Sequence, residues 1–298
     1  MLVAATTECF LDLSLAAALE RLADLEFTNV ELALFEDANQ FKPSQIAADL
    51  EKAVATCRNT QRLDVVAFDT RIAVTGAAHY EQFTAICKLA RTVKVVTITV
   101  PSAETGTPFN EEIEHLRRLV DIATLHGVRV GIKSQIGRLS EDPDTVINLC
   151  DNVKGLGLTL DPSHYIYGPY QGRNYDKLMK YVYHLQLRDT NKKALQVRVG
   201  QGEIEYGRLI TLLQKQKYHR ALCVNITEMP EVDHFDVSAA EGDYFRCALT
   251  PRNGQDLRSQ VYAIARAKGW PLRELTRSRH SLEDIYVRVT RPEEEEES

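Results

Sequence analysis

The sequence predicts an α/β fold, a closed parallel (β/α)8 TIM barrel followed by a small C-terminal α/β extension. Short β-branched runs alternate with longer helical segments along most of the chain. Strand starts recur about every 25–40 residues, which matches the length of a βα unit. Each predicted strand ends in a polar cluster, as the strands of such barrels do. The length of 298 residues also fits one barrel, typically about 250 residues, better than one ordinary domain.

The strands are predicted where β-branched and other apolar residues form short runs bounded by turn residues. In chain order they are Leu2–Thr6, Val30–Phe35, Leu63–Phe68, Lys94–Val100, Val128–Lys133, Gly157–Asp161, Tyr183–Arg188 and Ala221–Thr227.

A helix is predicted after each of the first seven strands. Ser14 caps the first helix, whose apolar residues follow the helical period up to Leu25. Pro43 suits the first turn of the second helix. Gly127 ends the fourth. The helices after the first are predicted over Pro43–Cys57, Tyr80–Arg91, Asn110–Gly127, Pro143–Cys150, Tyr175–Tyr181 and Tyr206–Gln216.

The pattern changes after residue 235, where we expect the barrel, residues 1–235, to end. A small α/β tail is predicted over 236–292, and the acidic run 293–298 is expected to be disordered. The tail elements are predicted as a strand, a helix, a strand and a helix over Phe245–Leu249, Gln255–Lys268, Pro271–Leu275 and Leu282–Val289. The helix Gln255–Lys268 either serves as the eighth barrel helix or belongs to a separate small domain.

Composition excludes several classes of protein. Lys and Arg number 36 against 42 Asp and Glu, a net charge of −6, which argues against a nucleic-acid partner. No apolar run is long enough for a membrane span, roughly 18 residues. The six cysteines form no Cys-x-x-Cys pair, so we expect ordinary buried thiols in a reducing compartment. The first residues lack the pattern of a signal peptide, and a cytoplasmic location is expected.

Four short motifs carry a family resemblance over about residues 1–235. Leu160-Asp161-Pro162-Ser163-His164 resembles the sixth-strand Leu-Asp-x-x-His motif of the xylose-isomerase-like barrels, the sugar (phosphate) isomerase and epimerase family. His184-Leu185-Gln186-Leu187-Arg188-Asp189 is similar to that family's seventh-strand His-x-His-x-Lys-Asp. Gly200-Gln201-Gly202-Glu203-Ile204 and Val30-Glu31-Leu32 resemble its following turn and its second strand. Their order and spacing together make the match specific.

The resemblance implies one divalent metal held by Glu, Asp, His and Glu on strands five to eight, the two Glu also moving a proton. These positions fall on Lys133, Asp161, Gln186 and Asn225. Only Asp161 keeps its ligand type. An ammonium repels a dication, and neutral amides are weak ligands for it. We therefore expect no metal and no other cofactor at this position.

Nine residues are candidates for the site. The candidates for catalysis are Lys133, Asp161 and His164. The candidates for substrate binding are Glu31, His184, Gln186, Arg188, Arg198 and Asn225. We predict that the Lys133 ammonium takes the place of the metal and pairs with Asp161. The alternative is a nucleophilic Lys133 that forms a Schiff base with a carbonyl substrate.

The resemblance implies carbohydrate metabolism, with a small sugar or sugar phosphate as ligand. The sequence is interpreted as an isomerase- or epimerase-like protein with a degenerate metal site. Two alternatives stay open: a non-catalytic sugar-binding or interaction protein, and a metal-independent enzyme using Lys133. The tail, through Lys268–Leu275 and Ser281–Val287, resembles the C-terminal extension of ABC-transporter ATP-binding subunits. No Gly-x-x-x-x-Gly-Lys-[Ser/Thr] loop occurs, so this extension is expected to be an accessory module, open to a protein partner.

Overall fold

Eight parallel strands pair in sequence order and close into a barrel, so the predicted fold class is confirmed. The ladder between the first and last strands, which aligns Leu2 with Ala221, closes the ring. The computed structural model describes residues 1–227, 232–239, 245–251, 256–269 and 271–276. The barrel strands are β1 (Leu2–Thr6), β2 (Asn29–Phe35), β3 (Asp64–Arg71), β4 (Thr97–Pro101), β5 (Arg129–Lys133), β6 (Leu156–Leu160), β7 (Val182–Leu187) and β8 (Ala221–Val224).

The connections between the strands carry the helices. These are α1 (Leu15–Asp24), α2 (Pro43–Ala48), α3 (Leu50–Arg58), α4 (Gly76–Thr92), α5 (Phe109–Leu125), α6 (Pro143–Asn152), α7 (Ser163–Tyr167) and α8 (Tyr206–Lys215). Short 3-10 turns cover Thr7–Phe10, Leu139–Glu141 and Asp176–Tyr181. The helix predicted before β7 is therefore a 3-10 turn, and α7 after β6 was not predicted.

The main apolar core lies between the strands and the helices that cover them. Leu19 and Leu22 of α1 are buried in it, as their helical spacing predicts, whereas Leu25 at the end of the same predicted face is exposed. Phe83 of α4 is also fully buried. Polar side chains also lie inside the barrel. Thr99 and Thr159 hydrogen bond across it, their Oγ1 atoms 2.7 Å apart. A Cβ at Gly131 would lie 2.8 Å from Thr159 Oγ1, so only glycine fits there.

One predicted helix is broken in two by Asp49. The pattern over Pro43–Cys57 predicts a single helix, but Asp49 has φ −148° and ψ 89°, which no helix contains. Its carboxylate accepts a hydrogen bond from Lys52 N at 2.9 Å and so caps α3. At Asp49 the backbone therefore leaves the helical conformation, and the side chain forms this capping hydrogen bond.

Among the barrel strands only β1 keeps its predicted bounds; β3, β4 and β8 differ by three residues at one end, and the others by one. β4 begins at Thr97 rather than Lys94, because Lys94 adopts a left-handed φ of 63° in the turn after α4. β8 ends at Val224 rather than Thr227. Asn225 therefore follows the strand, although its N–H still donates to Leu187 O on β7 at 2.9 Å.

The chain divides into two units, Met1–Glu228 and Met229–Ser298. In the second, β9 (Val232–Ala239) pairs antiparallel with β10 (Phe245–Pro251), and α9 (Arg258–Lys268) follows. β10 and α9 agree with the predicted strand and helix, whereas β9 was not predicted. The strand predicted over Pro271–Leu275 is wrong: 271–276 form no regular structure, and among the described residues of this unit the ladder joins β9 and β10.

Two tail predictions, the helix Leu282–Val289 and the disordered end 293–298, lie outside the described residues. Among the described helices, none combines the length and the apolar character that crossing a bilayer requires. Cys9, Cys57, Cys87, Cys150 and Cys223 carry free thiols, and all of these but Cys9 are buried.

Candidate functional site

The carboxyl ends of the strands bring eight of the nine predicted residues together at one end of the barrel. Parallel strands all end on the same face, and alternate residues on each strand point inward. All eight are buried: Glu31, Lys133, Asp161, His164, His184, Gln186, Arg188 and Asn225. We call this end of the barrel, together with Glu8, Asp69 and Arg71, the mouth. Glu228, another strand-end residue of the sequence, lies outside the described residues.

Lys133 binds two carboxylates, neither of which is Asp161. Its Nζ donates to Glu8 Oε2 at 3.0 Å and to Asp69 Oδ2 at 2.9 Å. Burial lowers the pKa of Lys133, but the carboxylates of Asp69 and Glu8 outweigh it and raise the pKa overall. The predicted Lys133–Asp161 ion pair is therefore wrong. Lys133 reaches across the barrel to Glu8, just after β1, and to Asp69 on β3. Asp161, beyond the end of β6, pairs with Arg188 instead.

Glu8 joins the first loop to the mouth, and sequence reasoning missed it. Its carboxylate also accepts from Arg71 Nη2 at 2.5 Å and from Asn225 Nδ2 at 2.9 Å. Burial raises the pKa of Glu8, but the positive charges of Lys133 and Arg71 lower it by a larger amount, so the pKa falls to about 2. The available signal was its position two residues after β1, the same strand-end argument that indicated the other residues.

Asp161 is held by Arg188 and Ser163. Arg188 Nε donates to Asp161 Oδ2 at 3.0 Å, and Ser163 donates to Oδ1 through its N–H and hydroxyl. Burial raises the pKa of Asp161, but Arg188 and then His164 lower it to below its ordinary value. Both carboxylate oxygens are thus already engaged by donors of this chain.

His164 lies beside this pair and is neutral. Its Nε2 is 3.6 Å from Asp161 Oδ2. Its Nδ1 accepts from Ile136 N at 3.3 Å, which assigns the ring proton to Nε2. Burial lowers the pKa of His164 to about 4, although the negative charge of Asp161 acts to raise it. Because its one lone pair is used by Ile136, this arrangement favours a positioning role over that of a base.

Gln186 and Asn225 donate to carboxylates through their amide nitrogens. Gln186 Nε2 lies 2.7 Å from Glu31 Oε1 and 3.0 Å from Asp69 Oδ2. The amide oxygens of both residues are buried, and neither has a hydrogen-bond partner among the described residues. Two acceptors at the mouth are therefore left for a donor that the chain does not supply.

Arg198 is the one predicted site residue that the structure leaves exposed. It lies on the loop between β7 and α8. Asp189 organises this loop, its carboxylate accepting from Gly200 N at 2.7 Å and from Gly202 N at 3.0 Å. A Cβ at Gly202 would collide with that carboxylate, so the predicted glycine turn has a steric cause.

A separate cavity of about 420 Å³ opens between α4 and α5. Tyr80, His115 and Arg138 are among its lining residues, and Tyr80 Oη lies 2.9 Å from His115 Nδ1. None of the mouth residues lines it.

Comparison with known proteins places the barrel in one family. Residues 19–243 match the family described as "Xylose isomerase-like TIM barrel". No curated protein sequence matches the chain.

Several solved structures share the fold. A D-tagatose 3-epimerase-like protein is 15% identical, with a TM-score of 0.61 over 76% of this chain and 91% of its own. A 3-keto-D-glucoside 4-epimerase from E. coli is 13% identical, with a TM-score of 0.59 over 78% and 94%. A Mycobacterium smegmatis xylose isomerase-like TIM barrel protein in complex with magnesium is 14% identical, with a TM-score of 0.59 over 75% and 89%. At these identities the likeness shows the fold alone.

Proposed function

The chain belongs to the xylose isomerase-like TIM barrel family, and we propose that it binds a small sugar or sugar phosphate at the mouth without the divalent metal that the resemblance implies. The observation that carries this proposal is the position of Lys133. Its ammonium lies between Glu8 and Asp69, within 3.0 Å of both. A fixed cation thus occupies the acidic centre of the mouth.

The four implied ligand positions do not fit a hard divalent metal. Lys133 is protonated and repels a dication. Asp161 has both oxygens engaged by Arg188 and Ser163. Gln186 and Asn225 offer neutral amide oxygens, which a hard cation binds less strongly than carboxylates. This donor set supports a degenerate centre.

The acid–base groups that isomerisation needs are also replaced. The resemblance assigns proton transfer to the fifth- and eighth-strand positions, which hold Lys133 and Asn225 here. An amide does not titrate, and the carboxylates of the mouth are committed to ion pairs and amide donors. A Schiff-base role for Lys133 requires a neutral amine, which its raised pKa disfavours. These features favour binding over catalysis.

The hydrogen-bonding capacity of the mouth fits a polyol. The free Gln186 and Asn225 oxygens accept from hydroxyl groups, which a sugar presents in several directions. The Arg71 side chain, 42% exposed at the rim, supplies a cation suited to a phosphate. A sugar phosphate would satisfy both features together.

Calorimetry with a panel of aldoses, ketoses and their phosphates tests the proposal, each ligand run with EDTA and with manganese. We expect at least one ligand to bind equally in both conditions, and Asn225→Ala to weaken it. The matched control is Asn148→Ala, an exposed amide on α6. Failure of every sugar to bind, or manganese-dependent turnover that Asp161→Ala abolishes, would overturn the proposal.

A further inference from the structure

Two mouth residues, Glu31 and His184, converge with a third side chain of metal-ligand type, Cys223, inside the barrel. Glu31 projects from β2, His184 from β7 and Cys223 from β8, and all three are buried. His184 and Cys223 each precede a mouth residue, Gln186 and Asn225, by two positions. Since strands open at their carboxyl ends, the trio lies one pleat further inside. Its ligand atoms all lie within 4.8 Å of one another.

The hydrogen bonding of the trio is incomplete. His184 Nε2 and Glu31 Oε2 lie 2.7 Å apart, the distance of an ion pair, although neither atom makes a hydrogen bond of good geometry with the described residues. The Cys223 thiol makes two long contacts, 3.7 Å to Glu31 Oε1 and 3.8 Å to Val224 O. Buried polar atoms without partners are uncommon in native proteins. The His184–Glu31 pair and the weakly bonded Cys223 thiol thus present three ligand atoms to one point inside the barrel.

We propose that Glu31, His184 and Cys223 bind a zinc ion. Carboxylate oxygen, imidazole nitrogen and thiolate sulfur are the donors that zinc takes from proteins. Zinc–ligand distances put two ligand atoms of a tetrahedral site about 3.3–3.8 Å apart. The ligand atoms of the trio lie within 4.8 Å of one another, so small side-chain shifts bring them to these separations, and the His184–Glu31 pair at 2.7 Å has to open.

The charges of the ligands and the hydrogen bond that holds Glu31 also suit a dication. Binding displaces the Cys223 thiol proton to solvent, so the thiolate and the Glu31 carboxylate together neutralise the ion. Gln186 Nε2 donates to Glu31 Oε1 and holds that carboxylate in place, with Oε2 left for the metal. The nearby Lys133 charge is balanced by Glu8 and Asp69, to which it is bonded.

This site differs from the one that the family resemblance implies, because Lys133, Asp161, Gln186 and Asn225 are not among its ligands. It also prefers a different metal: a thiolate selects zinc or cobalt over magnesium or manganese. The proposal is independent of sugar binding at the mouth, which could fail while zinc still binds.

Metal analysis of the full-length protein tests the proposal. The protein is stripped with a chelator, reloaded with zinc or cobalt(II) and freed of excess metal. We expect stoichiometric zinc by mass spectrometry and a thiolate-to-cobalt charge-transfer band in the absorption spectrum. Both should be lost in Cys223→Ser and in His184→Gln. Zinc should raise the unfolding temperature of the parent chain but not that of Cys223→Ser.

Two matched variants keep the outcome unambiguous. Cys150→Ser removes another buried thiol, on α6, and Asp161→Asn removes the one retained family ligand; both should keep zinc and the cobalt band. Near-ultraviolet circular dichroism confirms that each variant folds. If His184→Gln does not fold, the smaller change Cys223→Ser decides alone. Substoichiometric zinc in the parent chain, or loss of zinc in Asp161→Asn, would refute the site.

Discussion

Lys133 is the residue on which the mouth network depends most. Its ammonium joins Glu8, from the first loop, to Asp69 on β3. Glu8 in turn contacts Arg71 and Asn225. Removing one partner of a buried ion pair leaves an uncompensated charge, which costs more than the pair itself contributes. Here the deletion would leave Asp69 without its cation, while Glu8 would keep Arg71 as its cation.

We therefore expect Lys133→Ala to lower the free energy of unfolding by about 3–5 kcal/mol, measured by urea denaturation. The control Lys52→Ala, at an exposed position on α3, should change it by less than about 0.5 kcal/mol. Adding Asp69→Asn to Lys133→Ala should recover part of the loss, because one stranded charge disappears. A loss below about 1 kcal/mol in Lys133→Ala would show that the pairs are not formed in solution.

His164 makes the stability depend on pH. Its folded pKa is about 4, against an ordinary value of 6.5. Between these values the unfolded chain binds more protons than the folded one, so stability falls as pH falls from about 6.5 to 4. The full effect is on the order of 3 kcal/mol. Glu8, with a pKa of about 2 against 4.5, adds a further loss only below about pH 4.5.

The variant His164→Gln should flatten this pH dependence, since Gln can still accept from Ile136 N but does not titrate. Unfolding free energies measured at several pH values from 7 to 4 should fall less steeply than in the parent chain. His219→Gln, at an exposed position before β8, is the matched control and should keep the parent slope. Equal slopes in all three proteins would contradict a buried neutral His164.

At the scale of elements, the sequence predicts what local patterns determine. Strand and helix order followed from hydrophobic periodicity, and Ser14 caps α1 as expected, accepting from Ala17 N at 3.4 Å. The break at Asp49 was missed because a residue that caps from inside an amphipathic pattern leaves the periodicity intact. β9 was missed although its partner β10 follows it in the chain, and the Pro271–Leu275 strand was wrongly predicted, because strand formation depends on packing context as well as on the local pattern.

The site shows the same division between local and distant determinants. Strand-end position indicated eight residues that do meet at the mouth. It could not determine which of them touch, because that depends on the stagger of strands around the closed barrel. Lys133 on β5 thus reaches Asp69 on β3, while Asp161 is bonded by Arg188 of the segment after β7. Choosing between two carboxylate partners required the three-dimensional structure.

At the scale of the molecule, the barrel is closed without the C-terminal unit. All eight strand ladders, including β1 with β8, lie within residues 1–228. The second unit has its own two-stranded ladder and α9. This division supports a tail that is an accessory module. Its boundary near residue 235, its likeness to ABC-transporter extensions and a protein partner for it stay predictions.

A chain ending at residue 228 tests this organisation. Because every barrel ladder is retained, we expect it to stay folded and to melt in one cooperative transition near the temperature of the full chain. A chain ending at Thr250 should behave in the same way. Calorimetry and near-ultraviolet circular dichroism measure both. If the two shortened chains lose the transition and a chain ending at Gly269 regains it, then α9 completes the barrel as its eighth helix, and the tail is part of the barrel fold.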